Sequence, residues 1–414
     1  MNNSISDKSI SFIDPEVQAC PFKAYEEIRN EGPAYYDKSC GYYIIPGYDD
    51  VKNALQDAKT FSSITGQLLV KDAPYQAKVD AIFKEHGYPP VNVLVVQDPP
   101  VHTFHRALVD KVFTISRIKK MEVYLQSVVD EMISENIDRG EVEFFMEIAM
   151  KIPTYVIADQ LGFPRAEFKT FRRWSESVIA EGNPDNGEQR QLEITRTLCE
   201  LHQYIAKMAA KYQKDPADCL LSDLVHADVD GKKLTTAELI AMVIQILTAG
   251  NDTTTSLITS CMYRIATTAG LEDTLRDNVE KIPQFVEEVL RLESPIQGLY
   301  RRVTRDIKIG GVDIPKDAIV ILKYGAANRD SCKFASPDEL DLDRDNSRQH
   351  LAFGNGPHFC IGNQLGRAET RLAIISLLNK MKNIRLKDGE NSFKRVSHFF
   401  GYGLCKLEIK FDKI

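Results

Sequence analysis

The sequence predicts a mainly α-helical protein with small β-sheets, folded as one large domain over residues 1–414 around a long central helix. Three observations carry this prediction. A mostly helical pattern runs from about residue 103 to residue 230. A second helical pattern continues from Thr235 to Gly270. The segment 300–325 alternates between apolar and polar residues and contains turn residues, which is typical of a hairpin.

The other elements follow from similar local patterns. A short strand pair is expected where Gly41 and Pro46 interrupt an aromatic stretch, and the long helical region is expected to break wherever glycine and proline come together. In chain order, these predictions are strands within 35–46, helix breaks at 162–164 and 182–184, an irregular segment over 326–350, a helix from about 362 to 383, and short strands at the end.

The central helix has a clear beginning and an unusual middle. Thr235 and Glu238 have the spacing of a capping box, and about 33 residues of helix span roughly 50 Å. The middle contains Gly250 and three consecutive threonines after Asp252, which is a poor helix sequence. Residues 251–252 therefore allow a second interpretation, in which one helix ends there and another begins.

Composition excludes several classes of protein. Apolar residues make up 43% of the 414 residues and charged residues 27%, which is ordinary for a globular protein and excludes disordered, collagen-like and small disulfide-rich chains. The net charge of −7 disfavours a nucleic-acid partner. Eight cysteines without a CxxC pair, a polar first segment and no apolar stretch of bilayer length predict a protein of the reducing cytoplasm without a membrane partner.

The segment Phe353–Gly362 surrounds one cysteine with an unusually constrained turn. Two glycines and a proline precede Cys360, and a helix is expected to begin near Gly362. The free N–H groups of a helix N-terminus favour a thiolate. A buried structural role suits the other seven cysteines but leaves this loop unexplained. A single thiolate without further cysteine or histidine ligands fits heme iron better than zinc or an iron–sulfur cluster.

Here the sequence resembles the soluble bacterial branch of the cytochrome P450 family. The family's pattern Phe-Gly-x-Gly-x-His-x-Cys-x-Gly is matched at every fixed position by Phe353–Gly362. Three further matches follow the family's order: residues 98–106, the helix segment Ala249–Thr253, and the Glu-x-x-Arg pair at 288–291. One departure is Gly366, where the family usually has alanine.

The resemblance implies heme b (iron protoporphyrin IX) as cofactor, with the Cys360 thiolate as metal ligand. It implies that His102, Arg106, Arg301 and His358 bind the two propionates. The adjacent Arg302 is the rival of Arg301, because neighbouring strand residues point to opposite faces. The remaining implied cofactor contacts come from the cysteine loop and the central helix: Phe353, Gly354, Gly362, Ala249 and Gly250.

The resemblance also implies the catalytic and structural residues. Asp252 is expected to relay protons and Thr253 to hold dioxygen by a hydrogen bond, and this role for the awkward helix sequence makes a helix end there less favoured. Glu288 and Arg291 lie on one helical face, and Arg344 is expected to complete a buried ion network that braces the cysteine loop.

The substrate pocket is expected to have a partly polar wall. The predicted wall residues are Gln245, Thr248, Ile296, Gln297, Leu299 and Phe399, with further contributions from the loop 64–97 (Tyr75, Phe83 and Tyr88). An unpaired buried amide is costly, so the glutamines favour a small oxygenated substrate and hydroxylation or oxidative O-demethylation of a methoxylated compound such as a methyl sugar. A neighbouring loop could instead satisfy Gln245, and both interpretations stand at this point.

The sequence contains no electron-transfer domain, so the resemblance implies a ferredoxin and a ferredoxin reductase as partners, besides O2 and a small-molecule substrate. Arg367, Arg371 and Lys111 could form a basic docking patch or could be solvated helix charges. A monomer is expected. The predicted function is a heme-thiolate monooxygenase. The alternatives are a peroxide-using heme-thiolate enzyme or isomerase of the same fold, and a non-catalytic heme-thiolate sensor.

Overall fold

The computed structural model describes residues 10–65, 74–181, 186–396 and 398–414. Within them the chain is mainly helical, as the sequence predicted. The helices in chain order are α1 Pro15–Ala19, α2 Phe22–Glu31, α3 Tyr48–Gln56, α4 Gln76–His86, α5 Val101–Asp110, α6 Ile115–Ser134, α7 Lys151–Gln160, α8 Phe168–Glu181, α9 Glu188–Lys214, α10 Leu220–His226, α11 Thr236–Thr267, α12 Leu271–Asp277, α13 Ile282–Glu293, α14 Tyr324–Ala327 and α15 Asn363–Lys380.

Small sheets flank the helices. The strands are β1 Tyr35–Asp37, β2 Tyr42–Ile45, β3 Phe61–Ser62, β4 Glu141–Glu143, β5 Leu299–Val303, β6 Ile307–Ile309, β7 Val312–Ile314, β8 Ile319–Leu322, β9 Met381–Leu386, β10 Phe393–Arg395 and β11 Leu404–Lys413. The largest sheet has the order β1-β2-β8-β5-β3, in which β2 and β8 run parallel. β4, β9 and β10 pair with β11, and β6 pairs with β7.

The predicted strand pairs are confirmed. β1 and β2 pair antiparallel within 35–46. The segment 300–325 forms two nested antiparallel pairs, with β6–β7 inside β5–β8. The tight turn between β6 and β7 uses Gly310 and Gly311 with φ of 49° and 96°, a backbone conformation that glycine adopts without a steric penalty.

The central helix α11 is continuous through its awkward middle, which excludes the helix end at 251–252. The Thr235 capping box is present as predicted. Five threonine hydroxyls of α11 donate to the carbonyl four residues earlier, at Thr248, Thr253, Thr255, Thr259 and Thr267. These bonds satisfy the threonine side chains inside the helix. The C-terminal half of α11 packs against α13 and α15 in the largest apolar core, which includes Leu257 and Met262.

Other boundaries differ slightly from the predictions. The helix break at 162–164 is confirmed, whereas the predicted break at 182–184 lies outside the described residues. The segment 326–350 is irregular as expected, although it begins within the short helix α14. α15 ends at Lys380, three residues early, because Met381 begins the strand β9. Within the described residues, no helix is both long and apolar enough to span a membrane.

The cysteine loop lies between the irregular segment and α15. Leu351 N–H donates to the Asn328 side chain at 2.6 Å, and Cys360 N–H donates to the Phe353 carbonyl at 3.0 Å. Gly356 has φ of 68°, and a Cβ there would lie 2.4 Å from the Leu55 carbonyl oxygen. Only glycine fits this close approach. The predicted helix start is confirmed, with Gly362 as the residue before α15.

Candidate functional site

A cavity of about 340 Å³ lies between α11, α15 and the cysteine loop. Cys360 lines it together with residues of α5, α7 and α11 and the segment 295–301. The cavity therefore collects most of the residues that the sequence singled out, although they are spread over more than 250 positions of the chain.

Cys360 is held at the cavity by the loop and the beginning of α15. Burial raises the pKa of its thiol, while the N–H groups of Gly362 and Asn363 and the nearby Arg106 act in the opposite direction. Burial dominates, so the helix N-terminus does not by itself ionise the sulfur, contrary to the expectation from sequence. A bound metal ion deprotonates a coordinating thiol outright. The arrangement suits a metal ligand better than a free nucleophile.

His102 supplies the clearest sign of an anionic ligand. Its side chain lines the cavity and is 2% exposed, yet neither ring nitrogen has a hydrogen-bond partner. The ring centroid lies 4.0 Å from that of His358, whose Nε2 is 3.0 Å from Ser63 Oγ. Desolvation lowers the pKa of His102 and lowers that of His358 to about 3. Buried polar atoms without partners are costly, so the His102 ring is poised for a ligand carboxylate.

Two arginines line the same part of the cavity. Arg106 reaches the Phe359 carbonyl and pairs with Asp110 at 2.8 Å. Arg301 is buried and lines the cavity, whereas the side chain of Arg302 points outward to Asp317 at 3.3 Å. The structure therefore favours Arg301 over its rival. Two guanidinium groups and two histidines around one cavity are the donor set that two propionates require, so the residues present fit heme.

Of the two predicted oxygen-activating residues on α11, Thr253 lines the cavity and Asp252 lies beside it. Ala249, Gly250 and Thr253 line it, and the Thr253 hydroxyl donates to the Ala249 carbonyl at 2.7 Å. Asp252 precedes Thr253 on α11 and does not line the cavity. Its side chain is open to solvent on one side, but the surrounding protein desolvates it and raises its pKa to about 6. Asp252 is thus a carboxyl that can exchange protons near neutral pH beside a cavity-facing hydroxyl.

The predicted polar wall is only partly present. Ile296, Leu299 and Gln245 line the cavity. The Gln245 amide donates to the Val93 carbonyl at 3.0 Å and accepts from Val95 N–H at 3.4 Å. A neighbouring loop therefore satisfies Gln245, which resolves the alternative left open by the sequence.

Three of the predicted wall residues do not line the cavity. Gln297 is 3% exposed, accepts from the Tyr25 hydroxyl at 2.7 Å and donates to backbone carbonyls at the end of α13. The Thr248 hydroxyl donates to the Ile244 carbonyl at 2.9 Å. Phe399 stacks on Tyr300 with centroids 6.1 Å apart. The predicted place in the wall is therefore corrected for Gln297 and Phe399, whose side chains have partners elsewhere, and for Thr248, which lies on a neighbouring face of α11.

The loop 64–97 contributes less than expected. Residues 66–73 lie outside the described residues. Tyr75 and Phe83 pack against α9, and Tyr88 packs into the core beside it. Leu94 and Val95, which the sequence analysis did not single out, form this part of the wall.

The structure brings together the three predicted network residues. Arg291 makes two bonds to Glu288, at 2.8 and 2.9 Å, and both side chains are fully buried. Arg344 donates to the same carboxylate at 3.1 Å. Arg291 also donates to the carbonyls of Asn328, Pro337 and Glu339. The network ties α13 to the irregular segment that leads into the cysteine loop.

A second network, which the sequence analysis missed, holds the cysteine loop from both sides. Glu287 contacts His350 at 3.1 Å and Arg367 at 2.6 and 3.0 Å. His350 precedes the loop and Arg367 follows it, and the Arg367 guanidinium lies 4.4 Å from the centre of the Phe353 ring. These contacts lower the pKa of Glu287 to about 2 against the effect of its burial. The only signal in the sequence was the second glutamate beside Glu288.

Two interpretations of Arg367, Arg371 and Lys111 were left open by the sequence, and the contacts of these side chains bear on both. Arg367 is paired with Glu287, Arg371 pairs with Glu122 at 2.6 Å, and Lys111 donates to the Asp228 carbonyl. The three cations are therefore engaged within the protein, and no uncompensated cluster remains among them.

Glu369 on α15 is a further residue that the sequence did not indicate. It lines the cavity, is 3% exposed, and interacts with the Thr254 hydroxyl. Burial raises its pKa to about 8, which favours the protonated form at neutral pH. One turn earlier, a Cβ at Gly366 would lie 3.5 Å from Thr254 Oγ1, an ordinary contact, so the family's alanine would fit there.

Comparison with known proteins agrees with this site. The family described as Cytochrome P450 matches residues 186–398. Cytochrome P450 107B1 of Saccharopolyspora erythraea is 32% identical over 372 residues, which cover 89% of each chain. The structure of CYP109Q5 from Chondromyces apiculatus superposes with a TM-score of 0.87, at 30% identity, over 98% of both chains.

A second solved structure has a bound ligand. CYP109E1 from Bacillus megaterium, in complex with testosterone, superposes with a TM-score of 0.82 at 30% identity, covering 94% of this chain and 99% of that one. The relative and the two solved structures match nearly the whole chain, and the family match covers its second half. The chain belongs to the cytochrome P450 family of heme-containing monooxygenases.

Proposed function

We propose that this protein uses heme b, bound through Cys360, to insert one oxygen atom from O2 into a small organic substrate. The observation that carries the proposal is one cavity that contains the Cys360 thiol, the partnerless ring of His102 and the Thr253 hydroxyl. Thiolate-bound heme supplies the chemistry that favours cleavage of the O–O bond. His102, Arg106, Arg301 and His358 would hold its propionates.

The protein's own residues manage protons and water. Asp252 exchanges protons with solvent on its open side, and its pKa of about 6 allows it to pass them on near neutral pH. Thr253 presents a hydroxyl to the cavity that can accept and donate within the same hydrogen-bonded chain. The apolar wall formed by Leu94, Ile296 and Leu299 limits access of bulk water.

The side chains of the cavity wall also indicate which kind of substrate fits. The amides of Gln245 and Gln297 are satisfied within the protein, and a hydroxylated sugar would leave polar groups unpaired at about 1–3 kcal/mol each. We therefore propose a substrate whose reacting end is apolar. The methyl group of a methoxylated compound meets this requirement, so O-demethylation stays a candidate reaction, whereas an unprotected methyl sugar does not. The testosterone bound to CYP109E1 is an apolar ligand in a related fold.

A ferredoxin and its reductase are proposed as the electron source. Support comes from a surface groove on the cysteine-loop side of α15, which Lys119 and Arg348 line next to the exposed Ile115. Exposed cations around an apolar centre suit an acidic partner. Arg367 and Arg371 line the same groove with their partners Glu287 and Glu122, so Lys119 and Arg348 extend the patch that the sequence suggested, without Lys111. We further propose that residues 1–414 act as a single domain and as a monomer.

The first test is Thr253→Ala, assayed with ferredoxin, reductase and any compound that shifts the heme spectrum of the wild type. We expect heme content and ligand binding to be unchanged, product formation to fall by about tenfold or more, and most reducing equivalents to appear as hydrogen peroxide. The loss follows from removal of the hydroxyl that links the cavity to the proton source.

Thr267→Ala is the matched control, since its hydroxyl makes the same bond to the carbonyl four residues earlier but lies at the exposed end of α11. Tightly coupled turnover in Thr253→Ala contradicts the assignment. Full activity of that variant with added peroxide, and none of the wild type with O2, favours the peroxide-using alternative.

The second test is the pH dependence of Asp252→Asn. A protonated carboxyl donates and an ionised one does not, and the pKa of Asp252 is about 6. Wild-type coupled turnover should therefore fall as the pH rises from 6 to 8. In the asparagine variant, the product formed per reductant consumed should be lower than in the wild type and constant across this range. The same falling limb in the variant would contradict a proton relay through Asp252.

A further inference from the structure

The turn Val93–Val96 forms cavity wall in a strained conformation. Leu94 begins a short 3₁₀ turn with φ of 36°, which L-residues other than asparagine and aspartate rarely adopt. Leu94 and Val95 both line the cavity, and Leu94 is buried. Such a conformation persists only when the surrounding structure over-determines it. The contacts of this turn therefore decide the shape of the wall.

Two side chains from different helices hold the turn. His105 on α5 is 1% exposed, and its Nδ1 accepts from Leu94 N–H at 3.3 Å. Gln245 on α11 accepts from Val95 N–H at 3.4 Å and donates to the Val93 carbonyl at 3.0 Å. The backbone groups on both sides of Leu94 are thus engaged by side chains outside the turn.

The position of the His105 ring is fixed by a second contact, on the side away from the turn. Its Nε2 lies 3.5 Å from the carboxylate of Glu238, which is the capping-box residue of α11. This contact is consistent with a proton on Nε2, which leaves Nδ1 free to accept from Leu94. Both residues that hold the turn are therefore positioned by α11, the helix that also contains Thr253. Gln245 lies on this helix, and His105 contacts its Glu238.

We propose that His105 and Gln245 are positioning residues that determine substrate specificity by clamping the Leu94 turn into a fixed wall. They do not contact the substrate through their polar atoms, because the turn occupies these atoms. The inference rests on the proposed function, because it requires that heme is bound in the cavity. It assigns Gln245 a role in shaping the site that differs from the recognition of substrate oxygens expected from sequence.

The test compares two azoles that bind heme iron in the heme-loaded protein. Imidazole is small and is expected to make few contacts with the cavity wall. The phenyl ring of 4-phenylimidazole extends further into the cavity and contacts the wall. For His105→Leu and Gln245→Met we expect the Kd of 4-phenylimidazole, measured from the Soret shift, to rise by about tenfold, which is roughly the loss of one hydrogen bond. The Kd of imidazole should stay within about twofold.

His105→Asn is the conservative control, because its side-chain oxygen replaces Nδ1 as acceptor for Leu94 N–H. We expect it to bind 4-phenylimidazole like the wild type. Hydrogen exchange gives an independent readout, in which the amides of residues 93–96 should exchange faster in His105→Leu and Gln245→Met but not in His105→Asn.

Equal weakening of both azoles, or unchanged exchange over 93–96, would overturn the clamp. Failure of wild-type protein to bind imidazole at its heme would instead count against the proposed function. The two failures are thus separable in one titration series.

Discussion

Replacing Cys360 by serine is expected to abolish the thiolate-type spectrum and the activity together. The variant should lose the long-wavelength Soret band of the reduced carbon monoxide complex. Its turnover should fall by well over about 100-fold, since even the outer partners of a metal ligand contribute about 10- to 100-fold. Serine keeps the size of the side chain, but its neutral hydroxyl does not supply the electron density that a thiolate gives to heme iron.

The loop should survive this substitution. Cys360 N–H still donates to the Phe353 carbonyl, and Gly354 and Gly356 keep their turn conformations. Far-UV circular dichroism of the variant should therefore match the wild type. Cys405→Ser is the matched control, because Cys405 is an exposed cysteine on β11, far along the chain from the loop. A wild-type carbon monoxide spectrum in Cys360→Ser would remove the basis of the proposed function.

The parts of the structure that were predictable from sequence depend on local signals. The capping box at Thr235, the glycines of the β6–β7 turn and the pattern of the cysteine loop each act over a few residues. Local backbone requirements such as φ above zero leave few alternatives. The cysteine loop was also the most specific match to a family, so fold and cofactor followed from it.

The pocket wall was not predictable in this way. Gln245 finds its partner 152 positions away and Gln297 finds one 272 positions away. Helical periodicity indicated which face of α11 points inward, and Gln245 does line the cavity. It contained no information about which polar groups the rest of the fold would bring within reach. The glutamines therefore no longer support the expectation of an oxygenated substrate, which stays untested.

The same limit applies to the neighbours Glu287 and Glu288 on α13. Consecutive helical residues point about 100° apart, so the two carboxylates face different partners. Glu287 contacts Arg367 on α15 and His350, which precedes the cysteine loop. Glu288 contacts Arg291 and Arg344. The family motif indicated only the second of them. Together they fix α13 against both ends of the segment that positions Cys360.

Glu288→Gln should destabilise the fold by about 3–5 kcal/mol, the usual cost of leaving a buried charge without its partner. The substitution is nearly isosteric, so the packing is kept. Arg291 and Arg344, however, lose the carboxylate that they share, and the Glu288 side chain is fully buried. The measurement is the free energy of unfolding in urea, followed with heme absorbance and circular dichroism. Asp313→Asn is the control, because its ion pair with Lys308 is exposed and should contribute less than about 1 kcal/mol.

The pH dependence of this difference separates a charge effect from a packing effect. Burial opposes ionisation of Glu288, but Arg291, Arg344 and the Asp341 N–H hold its pKa below the ordinary value of 4.5. A carboxyl with a lowered pKa in the folded state stabilises the protein above the unfolded pKa, and this contribution is lost as the pH falls through the folded pKa. The stability gap between wild type and Glu288→Gln should therefore be full at pH 7 and shrink below about pH 4.5. A gap that is the same at pH 7 and under acid conditions means that shape, and not charge, holds α13 to the cysteine-loop segment.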